Sequence, residues 1–277
     1  MTRVASRRSV LAGSAVGAVC GLAGCLSGGR DVEETITETH AADELSAIAV
    51  STVVSDVDVH AASQGSIDIE GRKGAVSRDD LESIGLRTST ADGVLEVAVD
   101  RNDSRTLFGL RPDPILDLSL TVPEALEVCR IESGAGDVDV ANVHGDLRIE
   151  TETGNVTASA VDGTVSATTE TGSVVVDDPA SIDRLATVTG DVTASLPGID
   201  GDAVIGTTTG GIDLRVPDEL DLTLEITTET GEISVTGVDA LPEMTGDSLI
   251  EAVVGDGTHR LEIVTETGDV AVTDRSE

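Results

Sequence analysis

The chain has 277 residues, with 52 Asp and Glu against 17 Lys and Arg, a formal net charge of −35 at pH 7. A surface that is acidic throughout excludes nucleic acid as a partner, because phosphates would be repelled and not neutralised. With Phe108 as the one aromatic residue and no Trp or Tyr, the core must be built from Val, Ile, Leu, Ala and Thr, and the ring faces on which sugars stack are missing.

In chain order, Ser6-Arg7-Arg8-Ser9-Val10-Leu11 precedes an apolar stretch rich in Gly and Ala, the charged-then-apolar order of a secretory signal. The Arg7-Arg8 pair resembles a twin-arginine export signal. Val10 to Cys20 is too short and too glycine-rich for a good membrane span, which needs about 20 strongly apolar residues. Leu22-Ala23-Gly24-Cys25 resembles a lipobox, so Cys25 is the expected lipid attachment and Cys20 reads as a cysteine packed in the apolar signal. A lipid with two chains anchors stably where one chain holds only marginally. Residues 26–46 (LSGGRDVEETITETHAADELS) are rich in Thr, Glu and Gly and read as a flexible acidic stalk, in which His40 has no assigned role. The expected plan is therefore 1–25 signal, 26–46 stalk and 47–277 repeat domain.

Residues 47–69, 95–99 and 116–122 alternate polar and apolar side chains, as strands with one buried face do. Ser77 to Ile84 reads as one short helix, with Ser77 as N-cap and acids in the first turn. From there Gly136, Gly145, Gly154, Gly163 and Gly172 recur every nine residues, and Gly190 follows eighteen later. Aligning 129–137, 147–155 and 165–173 puts Cys129 over Leu147 and Val165, Ile131 over Ile149 and Ala167, and Ser133 over Thr151 and Thr169. The period predicts an all-β parallel solenoid, with two strands in each coil of about eighteen residues and one short helix near its N-terminal end. Glycine opens each half-coil because a corner there needs positive φ or close backbone approach. Later coils are expected around 203–210, 224–231 and 261–268, stacked one on the next, with 239–258 as an insertion forming a loop or small strand at one edge.

Thr-x-Thr recurs before glycine at 151/153, 169/171, 187/189, 207/209, 228/230 and 265/267. Outward arrays of this kind can order water, but these threonines share parity with Leu147, Ile149, Leu224 and Ile226. They are expected to face inward as a hydroxyl ladder, bonding each other and the turn backbone.

The order of these elements, an alternating strand pair, a short acidic helix, Leu-x-Leu-x-Val-Pro-x-x-Leu at 118–126 and then Gly-Asp-Val repeats, resembles the "putative adhesin" family of repeat domains of unknown function in bacteria and archaea. The resemblance covers roughly residues 47–274. It implies a non-catalytic cell-surface β-solenoid and transfers no functional residue or cofactor.

Cys129 is expected to be a small buried hydrophobe, and with no second mature cysteine beyond Cys25 it has no disulfide or thiolate metal partner. Asp137, Asp146, Asp191, Glu232 and Asp269 follow corner glycines, and stacking could gather some of them into a calcium column. The Gly-Gly-x-Gly-x-Asp turn of calcium β-rolls is absent and salt adaptation alone would supply such acids, so the latter reading is preferred. His60, His144 and His259 are isolated, with no HExxH or Gly-x-Ser-x-Gly motif, and are read as surface or turn residues; no catalytic residue, metal ligand or cofactor is expected. Asn102-Asp103-Ser104 and Asn155-Val156-Thr157 match the glycosylation sequon, with Asn102 the better candidate because it lies in a predicted loop.

Lys73 is the one lysine, and its rarity beside abundant Asp, Glu, Thr and Val resembles the proteins of extremely halophilic archaea. At about 1 M salt the Debye length is roughly 3 Å, which removes most of the self-repulsion of such a chain. Together these features predict a lipid-anchored, non-catalytic binding or structural module outside the cytoplasmic membrane of a halophile, with other envelope or surface-layer proteins as partners. The alternatives are an envelope sensor acting through a membrane partner and, behind it, a polysaccharide-active solenoid enzyme.

Overall fold

The computed structural model describes residues 30–101, 112–198, 201–217, 221–238, 244–246 and 248–275. Among them, apart from the helix Arg78–Glu82, the regular structure is β, gathered into one 12-stranded and one 11-stranded sheet.

Each coil gives one strand to each sheet. Leu147–Thr153 lies in the 11-stranded sheet and Val156–Ser159 in the 12-stranded one. The next coil repeats this in parallel register, with Leu147 opposite Val165, Ile149 opposite Ala167 and Thr151 opposite Thr169. In the other sheet Val156 faces Val174 and Ala158 faces Val176. The eighteen-residue period thus holds on both sides. Every second side chain is buried: Val156, Ala158, Val174 and Val176 are at most 1% exposed, whereas Val175 is 36% exposed. Burying a Val, Leu or Ile contributes about 1.5–3 kcal/mol. Repeated in both sheets, such rows make one continuous aliphatic core that needs no aromatic filler.

The corner between the two sheets requires glycine on two counts. Gly154 and Gly172 have φ of 145° and 143°, a region that side chains resist. A Cβ on Gly172 would also stand 2.0 Å from the Gly154 carbonyl oxygen, and one on Gly154 would stand 2.0 Å from that of Gly136. Contrary to expectation, only the first threonine of each Thr-x-Thr pair faces inward; Thr153, Thr171, Thr189, Thr209, Thr230 and Thr267, next to the glycine where the chain turns, are exposed. The inward ones close the same corner. Thr169 Oγ1 donates to Gly154 O at 3.1 Å, Thr187 to Gly172 O at 2.8 Å, Thr207 to Gly190 O at 2.9 Å and Thr265 to Gly210 O at 3.1 Å. The ladder therefore runs mainly from hydroxyl to turn backbone; a direct bond between hydroxyls joins Thr52 to Ser133 at 3.1 Å. Thr151 is 6% exposed, yet its Oγ1 has no hydrogen-bond partner.

Three further expectations are corrected. Cys129 does not sit in the column of Leu147. Its strand bulges, so that Ile48 pairs with Val128 and Ala49 with Arg130, leaving Cys129 as the extra residue. Val128 takes the buried place, while the half-buried Cys129 directs its thiol to Ile48 O at 3.3 Å, and burial raises its pKa. The described part of the stalk is also structured. Val32–Ala41 pairs antiparallel with Ser66–Ala75 along its whole length, from Val32 opposite Ala75 to Ala41 opposite Ser66. Its half-buried face carries Val32, Glu34, Ile36, Glu38 and His40, polar enough to read as linker. Glu38 is satisfied by His40 at 3.2 Å and by Thr88 Oγ1 at 3.2 Å.

The third correction concerns order. The coils do not stack in chain sequence at either end. The last coil, His259–Thr267 with Val270–Asp274, lies between the coil starting at Ala203 and the one starting at Leu222, since Val204 and Glu225 both pair with Glu262. The first coil, Ala47–Val54 with Val57–Ala62, is likewise enclosed between Val94–Arg101 with Ile115–Pro123 on one side and Glu127–Ala135 with Val138–Ala141 on the other. Long connections carrying the cap strands permit both detours. Antiparallel strands finish each end: Ile84–Ala91 in one sheet and Ser66–Ala75 with Val32–Ala41 outside it in the other at one end, Leu249–Val254 and Met244–Gly246 at the opposite end. The last two form the edge insertion expected within 239–258. The helix begins at its expected cap, where Ser77 Oγ accepts the Asp80 N–H at 3.2 Å.

The inward ladder has a discriminating consequence. Thr169→Val is expected to cost about 1 kcal/mol through the lost bond to Gly154, whereas Thr151→Val is expected to be neutral or stabilising because it removes an unpaired buried hydroxyl. Chemical denaturation of the two variants checks the order, and equal losses would refute it.

Candidate functional site

Arg7, Arg8, Cys25 and Asn102 lie outside the described residues. The corner acids lie within them, and the carboxylates of Asp137, Asp146, Asp191 and Asp269 accept backbone N–H groups. Asp56 Oδ1 accepts the Asp137 N–H at 2.9 Å, and Asp137 Oδ1 accepts that of Asn155 at 2.8 Å. Asn155 Oδ1 accepts the Ser173 N–H at 3.0 Å, Ser173 Oγ that of Asp191 at 3.3 Å, and Asp191 Oδ1 that of Gly211 at 2.8 Å. Further along the stack Asp269 Oδ1 accepts the Glu232 N–H at 2.8 Å, and at a separate turn Asp146 Oδ1 accepts that of Thr164 at 2.9 Å. A short acceptor after glycine thus caps a strand start of the next coil, which explains the Gly-Asp and Gly-Asn steps without a cation. The sequon residue Asn155 belongs to this chain of bonds, its Nδ2 donating to Asp137 at 3.2 Å. Among the described residues, no three His, Cys, Asp or Glu side chains are grouped to hold a metal ion.

The histidines stand apart. His60 touches Asp58 at 3.3 Å and Thr121 Oγ1 at 3.0 Å, and His144 lies 3.4 Å from Asp162. His259 stands opposite Leu222, toward the other end of the stack from His60.

Concave regions among the described residues include one of about 350 Å³ beside Glu124, His144 and Asp162 and two larger ones. A cleft of about 420 Å³ opens on the 12-stranded sheet, lined by Asp56, Asp58, Glu70, Arg72, Asp117 and Asp139. Burial raises the pKa of Asp117 there, opposed by the hydrogen bond that its Oδ1 accepts from the Asp56 N–H at 3.1 Å. A shallow groove of about 810 Å³ runs over the 11-stranded sheet past Glu132, Glu150, Glu152, Glu170 and Val53. Sequence spacing could not show the cleft, because its residues come from four strands whose pairing is set by the out-of-order stacking at that end. In the cleft Ser119 Oγ lies 3.5 Å from Asp58 Oδ1, and both larger regions are open surfaces lined by carboxylates and hydroxyls. No described helix is long and apolar enough to cross a membrane.

The corner ladder breaks at Gly211, which has no side chain to pass the bond to Asp269. Its φ lies outside the left-handed region, and a Cβ there would stand 3.4 Å from Asp269 O and 3.8 Å from Asp191 Oδ1, ordinary contacts. Gly211→Asn, copying Asn155, is therefore expected to stabilise the fold by about 0.5–1.5 kcal/mol. A thermal melt in molar salt checks this; a lower melting temperature would show that the acceptor chain contributes nothing.

None of the curated proteins matches the chain. Solved structures that it resembles include a "putative cell adhesion protein" of Clostridium sporogenes, 9% identical, covering 88% of this chain and 100% of that one with a TM-score of 0.45. A "putative adhesin" of Bacteroides fragilis is 16% identical, with coverages of 86% and 97% and a TM-score of 0.45. A "putative lipid binding protein" of Parabacteroides distasonis is 14% identical, with coverages of 88% and 98% and a TM-score of 0.43. The model of one family matches residues 56–273, nearly the whole two-sheet stack, and by that match the chain belongs to the Toastrack DUF4097 family.

Proposed function

We propose that this protein is a lipid-anchored, twin-arginine-exported, non-catalytic binding or structural module on the outer face of a halophile's cytoplasmic membrane. The observation that carries the reading is the pair of open sheet faces, on which outward side chains stand in rows set by strand pairing, while the corner aspartates are occupied by backbone N–H groups. Such faces suit contact with another extended surface, as in an envelope or surface-layer protein. The shortened tether adds a constraint. Only residues 26–31 separate Cys25 from the strand that starts at Val32, and six residues reach at most about 20 Å. A lipid on Cys25 would therefore hold the N-terminal cap close to the membrane.

The expected result is that Cys25→Ser moves the protein from the membrane fraction to the medium, while the unaltered protein on intact cells cross-links to a surface-layer or other envelope protein. Depolymerisation of envelope polysaccharide by the purified protein in high salt would overturn the non-catalytic reading. The salt adaptation has its own check. Circular dichroism is expected to show full β-structure at about 2 M KCl and its loss in dilute buffer, where the self-repulsion is unscreened; full structure without salt would refute it.

A further inference from the structure

The outer face of the 11-stranded sheet carries an ordered row of charge. Strand pairing places Arg130 beside Arg148, Arg148 beside Ser166, Ser166 beside Arg184 and Arg184 beside Val204. The row continues through Glu262, Glu225 and Glu251. In a chain with 17 basic residues, three arginines thus occupy one half of this eight-strand stretch and three glutamates the other, and beyond Arg130 the row runs on through Ala49, Glu96 and Ser89. The arginines and Glu251 are exposed, and Glu262 and Glu225 partly so.

We propose that this face docks on the same face of a second copy, about a two-fold axis parallel to the strands and passing between Ser181–Thr189 and Ala203–Thr209. That rotation reverses the row without shifting it along the strands. It sets Arg130 against Glu251, Arg148 against Glu225 and Ser166 against Glu262, with Arg184 and Val204 meeting at the axis. The neighbouring row reads Glu132, Glu150, Thr168, Ala186, Gly206, Val264, Thr227 and Leu249. Reversed on itself, it brings Ala186 to Gly206, Thr168 to Val264, Glu150 to Thr227 and Glu132 to the exposed Leu249, with no like charges opposed. In this row the residues at the axis, Ala186 and Gly206, are small. The row nearest the glycine corner sets Glu152 and Glu170 against Glu229 and Glu266; it forms the rim, where salt screens the repulsion.

Charge order selects this occupant. A partner of one sign would gain from one half of the row and be repelled by the other, whereas an isologous contact satisfies both halves at once. The pairs made within one copy do not compete strongly. Arg130 with Glu132, Arg148 with Glu150, and Arg260 with both Glu225 and Glu262 are surface pairs of a kind that contributes little, and each guanidinium keeps further donors. Eight strands about 4.8 Å apart and about 17 Å long give a face of roughly 650 Å², so about 1,300 Å² is buried in the pair, the lower end of the range for specific interfaces.

The dimer is independent of the non-catalytic reading above and is tested without it. Sedimentation velocity of the purified full chain over about 1–100 μM in about 2 M KCl is expected to show a monomer–dimer equilibrium with micromolar Kd. Arg148→Glu and Glu225→Arg are each expected to weaken it at least about tenfold, and the double variant to restore it to within about threefold. Within one copy the two residues are five strands apart, so restoration cannot come from an intramolecular contact. If circular dichroism shows that either variant is misfolded, Arg130→Glu with Glu251→Arg replaces the pair. A monomer throughout the range, a dimer that neither substitution weakens, or a double variant that fails to restore association would overturn the proposal.

Discussion

At the glycine corner, the carbonyl oxygen of one coil occupies the space that a side chain of the next would need, 2.0 Å from where a Cβ on Gly172 would lie. That approach locks the axial spacing and register of the coils, and much else follows from it. With register locked, inward rows of Val, Ile, Leu and Ala align with equivalents above and below, and packing density is reached by repetition of small side chains. The hydroxyl of the inward threonine and the acceptor after the glycine then have fixed targets, the turn carbonyl and the following strand's first N–H.

This division of labour accounts for the composition. Aspartate and asparagine at the corner are structural acceptors as well as charges, so some of the large acidic excess is built into the turns. The rest lies on the outer faces, where one row, from Arg130 to Glu251, separates arginine from glutamate along the stack.

The middle of the fold is legible in the sequence because one repeat predicts the next: the glycine spacing, the pairing of Leu147 with Val165 and the inward threonines all follow from a constant period. Where the period lapses, inference weakens for physical reasons. Cys129 escapes it because one inserted residue shifts parity without altering composition. The strand Val32–Ala41 looks like linker because a cap buries only half of one face and tolerates Glu and His there. The stacking order at the ends is invisible, since any coil of this type offers nearly the same edge to any other and only long-range connections decide which neighbour it meets. The acidic cleft is hidden for that reason, while the corner aspartates, visible as candidates, prove to be occupied by backbone.

In a linear array the outermost unit has one neighbour and ordinarily unravels first. Here the first and last coils along the polypeptide are each held between two others, although the strand Val32–Ala41 before the first coil still forms one edge of the 12-stranded sheet. Loosening the last coil must break both of its interfaces at once, and at that end of the stack, where Leu249–Val254 and Met244–Gly246 form the edges, fraying begins in mid-chain with both ends of the loosened segment tethered. A stack so arranged resists stepwise unravelling from its last coil by the same contacts that hold its middle together.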